Sequence, residues 1–435
     1  MIAGTIRSSD APAICAGDRP VSKTATNTTT NGMNRPIVPI GAAVVGSEVS
    51  VVLGTSRLCC IGRARCDAGG MTVAALLAQH PVVLAPMEDV SDATFRRAIR
   101  NVGATLCVTE FIATEQIVAS SQLARRRLAL AADDQPTAIQ IYGGDPTMLV
   151  RAALIAARAR PAFLDINCGC WIPRIAARGA GAGWLRDPSA MVAMARAIVA
   201  AVDLPVTVKT RIGWGPESQM PICDLARRLE DAGVAAIFLH CRTAQMGHKG
   251  DADWQWARHA REQVSIPVVV NGDVRSADDV ARSLAETGCA GAMVGRAAIT
   301  HPWIFREARA LLAGRAVVAP STAERVAFYR ALVIANAATR SEPAGVAVTR
   351  RHLGVLGPLA AVLRTALFGA PTLAQTLEVL DSVDELRIPD GILDDRDAAL
   401  ARGLGERLRR VGAREDLSIG ERALGADATH SLRDR

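Results

Sequence analysis

The sequence predicts a (β/α)8 barrel (the TIM-barrel architecture) followed by a small C-terminal all-helical domain, on three observations. Eight apolar runs recur between residues 82 and 295, and most are followed by a stretch of helical periodicity. Those runs are continuously apolar instead of alternating, as in a parallel sheet whose outer face is covered by helices. Eight such units in about 220 residues match a closed barrel better than an open doubly wound sheet.

In chain order the predicted strands are residues 82–86, 105–110, 138–142, 163–167, 206–210, 236–240, 267–271 and 291–295. Helix starts between them carry capping signals. Asp187-Pro188 precedes a run over 191–202, and Ser276-Ala277-Asp278-Asp279 precedes one over 280–286. After Pro302 the strand signal stops. Residues 311–405 read as helices rich in Ala, Leu and Arg, broken at Pro320, Pro343, Gly357-Pro358 and Gly369-Ala370-Pro371. The expected organisation is therefore an extension over 1–70, a barrel over 71–310, a helical domain over 311–405 and a flexible tail over 406–435.

Composition narrows the setting. The 435 residues are half hydrophobic, which suits a globular chain with a sizeable core. A formal charge of +7 suits a polyanionic partner. Ten cysteines without disulfide-framework spacing fit a reducing cytosol, so a cytoplasmic location is expected. No charge-free apolar run reaches the roughly 18 residues of a membrane span. Residues 1–70 are rich in Thr, Ser, Gly and Ala and lack periodicity, so the extension is expected to be disordered or a product of start-site choice, with translation beginning at Met71. Its Cys59, Cys60 and Cys66 lack a fourth ligand nearby, and no metal site is expected.

Chemistry in such a barrel occurs at the C-terminal ends of the strands. Those ends carry Pro86-Met87-Glu88-Asp89, Glu110, Gln140 to Gly144, Asn167 with Cys170, Lys209 with Arg211, His240 with Arg242, Asn271-Gly272-Asp273, and Gly295-Arg296. A lysine inside Val-Thr-Val-Lys-Thr-Arg is better explained by an anionic or electron-rich ligand than by surface exposure. His240 reads equally as a satisfied core histidine, and Asn271-Gly272-Asp273 also reads as a turn. Gly295-Arg296, ahead of a helix, has the makings of a phosphate grip. A phosphorylated cofactor at the last two strands, with Lys209 and Gln140 bonding a polar ring, makes FMN the simplest occupant.

Six segments together resemble the bacterial, FMN-dependent tRNA-dihydrouridine synthases. They are Ala85-Pro86-Met87-Glu88-Asp89-Val90-Ser91-Asp92 with Phe95-Arg96, Asp165-Ile166-Asn167-Cys168-Gly169-Cys170, Val208-Lys209-Thr210-Arg211-Ile212-Gly213-Trp214, His240-Cys241-Arg242-Thr243, Asn271-Gly272-Asp273, and Met293-Val294-Gly295-Arg296 with Pro302-Trp303-Ile304-Phe305. The resemblance implies reduction of particular tRNA uridines to 5,6-dihydrouridine, with FMN reduced by NADPH or NADH. Hydride passes to C6 and Cys170 gives the proton to C5. It implies Pro86, Met87, Glu88, Gln140, Lys209, His240, Asn271, Gly272, Asp273, Gly295 and Arg296 around FMN, with Asn167 and Arg211 facing the uracil. The helical region would bind tRNA, and a monomer without a stable protein partner is expected.

Three departures accompany the likeness. Trp171 follows the cysteine where the family usually has proline, which is displaced to Pro173. Glu88-Asp89 stands where a small residue and glycine are common. The stretch 351–358 lacks the aromatic and lysine residues often found after the histidine. Two alternatives stand beside the main reading: an FMN barrel oxidoreductase acting on a small pyrimidine, and a catalytically silent tRNA-binding homologue.

Overall fold

The computed structural model describes residues 71–216 and 220–385. The expectations for residues 1–70, for 386–405 of the helical region and for the tail at 406–435 lie outside the described residues.

Eight parallel strands close on themselves. They are β1 (Val82–Leu84), β2 (Leu106–Val108), β3 (Thr137–Tyr142), β4 (Leu164–Cys168), β5 (Val206–Arg211), β6 (Ala236–His240), β7 (Val268–Asn271) and β8 (Gly291–Val294). Each pairs with the next, and β1 pairs with β2 through Val83 and Leu106 and with β8 through Val82 and Ala292. A two-residue extension, Ile112–Ala113, adds to the end of β3. The first strand stops short of its predicted end at Pro86, which has no N–H to give a neighbouring strand. The chain turns there instead, with the Met87 N–H donating to Ser91 Oγ at 2.9 Å.

The side-chain period of two separates two apolar layers. Leu84, Cys107, Ile139, Ile166, Val208 and Leu239 point outward into the core shared with the helices. Val83, Leu106, Ala138, Phe163, Phe238, Val269 and Met293 point into the barrel, where the helix Val73–Gln79 covers its lower end with Val73, Leu76 and Leu77. Higher up, the same inward positions become polar. Gln140 lies beside Asp165, Asp165 beside Thr207, Asn167 beside Lys209, Arg211 beside His240, and His240 beside Asn271. The barrel thus has a dry lower half and a hydrogen-bonding upper half.

The predicted caps form. Asp187 accepts from the Ala190 N–H at 2.9 Å with Pro188 in the first turn. Ser276 and Asp279 complete a capping box. Such a cap is worth about 1 kcal/mol. The helical region comprises Thr322–Thr339, Glu342–Thr349, Leu359–Gly369 and Leu373–Glu385, joined in part by a 3-10 segment, Arg350–Leu356. Pro343 starts a helix, where its missing N–H costs nothing. These helices share an apolar cluster that includes Tyr329, Leu356, Leu363 and Leu380.

The helical region holds the loop after β1. Phe95 stacks on His352 with ring centroids 4.7 Å apart. Arg340 pairs with Asp92, and Arg351 donates to the Asp89 carbonyl. A cleft of about 540 Å³ lies along this seam, lined among others by Asp89, Glu110, Arg126, Arg127, Arg340 and Arg351.

Candidate active site

Cys170 leaves β4 in a loop fixed from three sides. The Asn167 Oδ1 accepts from the N–H groups of Gly169 at 3.1 Å and Cys170 at 3.0 Å. The Cys170 carbonyl accepts from the Ala182 N–H at 2.9 Å. Gly181 permits that approach: its φ is +56°, and a Cβ there would sit 2.7 Å from the Cys170 oxygen. On the third side, Arg211 donates through Nε to the Gly169 carbonyl at 2.9 Å. Its Nη1 reaches the carbonyls of Thr243 at 2.9 Å and Gly247 at 2.8 Å. One guanidinium therefore clamps the loops after β4 and β6 together.

Trp171 fits into the same clamp. Its ring lies over Gly247, whose absent Cβ would come within 3.2 Å of it, and meets His248 edge-on with centroids 5.6 Å apart. Pro173, displaced by two positions, begins the short helix Pro173–Ala176.

Burial pushes the Cys170 thiol above its ordinary value. The Ile172 N–H opposes that, Glu88 adds to it, and Arg211 and Lys209 oppose it more weakly. The group is thus a protonated thiol at neutral pH, suited to giving a proton. Glu88 itself is exposed.

Lys209 donates to Asn271 Oδ1 at 3.0 Å, and Asn271 Nδ2 in turn donates to the Met293 carbonyl at 2.8 Å. Burial, reinforced by Arg211, lowers the ammonium to about 8. His240 is held well below its usual range by burial and by Arg211, Lys209 and Arg242. It is neutral, and Arg242 Nη1 lies 3.3 Å from its Nε2.

At the ends of β7 and β8 three guanidiniums surround one carboxylate. Asp273 Oδ2 accepts from Arg242 at 2.5 Å and from the Ala252 N–H at 2.9 Å. Its Oδ1 lies 3.0 Å from Arg275 and 3.7 Å from Arg296. Burial pushes the Asp273 carboxyl up, but the Ala252 N–H and Arg242 outweigh it and hold it low. Three cations on one anion leave a net positive corner, with Arg275 and Arg296 turned largely to solvent.

The donor set fits FMN. Lys209 has three donors and one protein acceptor, Gln140 Nε2 keeps a second hydrogen, and the Arg275–Arg296 corner suits a phosphate. Pro86 and Met87 lie half-buried beside the mouth, and Gly295 is open above Ala85.

The expected residues on β3 to β8 therefore converge on the upper barrel, whereas Glu88 lies exposed on the β1 loop. The strand-end inventory includes Arg242 without assigning it to the cofactor. Asp165, Thr207 and Arg275 are additions from the structure. Counting back two positions from Asn167 and from Lys209 would have found the first two.

Buried polar groups, a protonated thiol and a cationic corner crown the closed parallel barrel, which places the protein among (β/α)8 barrels with a polar, cationic site at the upper end. Comparison with known proteins narrows the class. The sequence profile of the dihydrouridine synthase (Dus) family matches residues 83–380, and the chain belongs to that family. It is 35% identical over 321 residues to a probable tRNA-dihydrouridine synthase of Rhodobacter capsulatus, covering 73% of this chain and 96% of that protein. It is 34% identical over 274 residues to tRNA-dihydrouridine synthase B of Pseudomonas syringae, covering 63% of this chain and 81% of that one. The corresponding Pseudomonas aeruginosa protein is 34% identical over 285 residues, with 63% and 82% covered.

Proposed function

We propose that this protein reduces uridines in tRNA to 5,6-dihydrouridine, with FMN in the upper barrel and a nicotinamide dinucleotide as reductant. The observation that carries the reading is the placement of Cys170: a protonated thiol, on a clamped loop, at the mouth of a barrel whose polar donors suit a flavin. Gln140, Lys209, His240 and Asn271 would hold the ring and its side chain, and Arg296 with Arg275 the phosphate, while Pro86, Met87, Gly272, Asp273 and Gly295 shape the cradle. FMN bound there would supply the hydride for C6 of the uracil, the hydride originating from NADPH or NADH.

The chain's own residues do the rest. Cys170 Sγ–H gives its proton to C5, and the thiolate left behind is met by Lys209 and Arg211, the cations acting on that sulfur. Asn167 and Arg211 hold the sulfur in place from the loop side, at the face the uracil approaches. A base stacked in folded RNA must be extruded to reach the mouth, at a cost of roughly a few kcal/mol. Arg126, Arg340 and Arg351 along the seam cleft offset part of that cost through phosphate contacts. The helical region thus belongs to the RNA-binding surface.

The test is dihydrouridine mapping of tRNA from cells with and without the gene, complemented by wild type or by Cys170→Ala. A site lost on deletion and restored by wild type alone supports both reaction and acid. An unchanged profile on deletion removes the proposal.

A further inference from the structure

We infer that Asp165 is a positioning residue: it sets the polarity of an amide relay through Gln140 and Asn167 that holds the Cys170 loop. The inference gives the acid of the proposed reaction its support, and to that extent rests on that reading.

The relay can be read atom by atom. Backbone N–H groups only donate, so the Asn167 atom facing Gly169 and Cys170 is the oxygen. Asn167 Nδ2 therefore points the other way and donates to Gln140 Oε1 at 2.9 Å. Gln140 Nε2 must then face Asp165 Oδ2, which accepts from it at 2.5 Å. Asp165 Oδ1 accepts from Thr207 Oγ1 at 2.6 Å. Each link dictates the next, and the chain ends on a group whose two oxygens accept.

Burial gives the relay its force. Asp165, Gln140 and Thr207 are fully buried and Asn167 is 6% exposed, so water cannot relieve a reversed amide. Asp165 makes no ion pair among the described residues, and Lys209 acts on it only from a distance, so its buried charge rests on hydrogen bonds. Burial raises its carboxyl to about 6 against the pull of the Gln140 and Thr207 bonds. A carboxylate at this position is explained by its being an acceptor at both ends.

The relay has a second solution in which the two bonds through Gln140 are reversed while both ends stay acceptors. With Asp at 167 and Asn at 165, the carboxylate at 167 still accepts from Gly169 and Cys170 and also from Gln140 Nε2. Gln140 Oε1 then accepts from the amide at 165, whose oxygen accepts from Thr207. Charge and composition are unchanged, and only the polarity is reversed. Asn167→Asp alone instead forces two acceptors together, whichever way Gln140 turns.

The experiment uses the full chain, flavin-free and FMN-loaded, without RNA. The rate of Cys170 alkylation by iodoacetamide at pH 8.5 is read at that residue by peptide mass spectrometry. Asn167→Asp is expected to alkylate about tenfold faster than wild type, as loss of a buried hydrogen-bonded anchor implies. Adding Asp165→Asn is expected to return the rate to within about twofold of wild type. Should the single variant not fold, recovery of folded protein by the second substitution carries the same conclusion. A single variant that protects Cys170 like wild type, or a double variant no better than the single, overturns the relay. Dihydrouridine formation enters neither readout. Intact protection without tRNA reduction would therefore count against the proposed reaction and leave the relay standing.

Discussion

Replacing Arg211 by leucine tests whether the clamp over the Cys170 loop is energetic or incidental. The side chain is 2% exposed and donates to three carbonyls on two loops. Hydrogen bonds to a charged partner contribute roughly 1.5–3 kcal/mol each, so the gross loss is about 4.5–9 kcal/mol. Removing the guanidinium also removes the penalty for burying it, which is several kcal/mol. That penalty is visible in the guanidinium itself, which burial lowers to about 10. The net destabilisation expected is about 2–4 kcal/mol. Urea denaturation followed by far-UV circular dichroism measures it, as a lower midpoint with an unchanged slope. Arg211→Lys keeps the charge but not the reach across both loops, and should fall between wild type and leucine. A leucine variant that loses less than about 0.5 kcal/mol, within the range of ordinary surface substitutions, refutes the clamp.

Two further outcomes are expected. In flavin-free protein Lys209 titrates near 8 instead of its ordinary 10.5, so between those values the unfolded chain binds more protons and stability rises with pH. Lys209→Met should abolish that part of the rise, seen by comparing urea midpoints at pH 7.5 and 10, while also lowering flavin retention. Asp134 is buried beneath Arg96, whose Nε lies 3.1 Å from each carboxylate oxygen, with Arg100 at 3.5 Å. Asp134→Asn leaves two guanidiniums without their shared carboxylate, and should cost about 3–5 kcal/mol in the same denaturation assay.

The barrel was legible because its strands are short apolar runs and its helices begin with recognisable caps, Asp187-Pro188 and Ser276 with Asp279 among them. The helical breaks were legible for the same reason: Gly357 has a φ of +61°, and Pro343 and Pro358 stand at helix starts. What the residues did not disclose is direction and partnership. Reading the strands as continuously apolar left Asp165 and Thr207 without a role, though they share the inward face with Asn167 and Lys209 two positions on. Two of the carbonyls Arg211 binds belong to Thr243 and Gly247, more than thirty residues away. No local pattern could foretell that pairing. Trp171 read as a substitution for proline, and only its contact with Gly247 shows that it belongs to the clamp.

The apolar floor of the barrel has a kinetic consequence. Val73, Leu76 and Leu77 stop the lower end, and Phe163 and Phe238 fill the interior above them. Among the described residues the lower end is thus closed, and the doorway to the polar half of the barrel is its upper end, where Cys170 lies. In the proposed reaction an electron donor and a macromolecular acceptor must pass that doorway in turn. Each half of the chemistry would then begin only after the previous visitor has left, so turnover is governed by the order of arrivals and departures as much as by the hydride step.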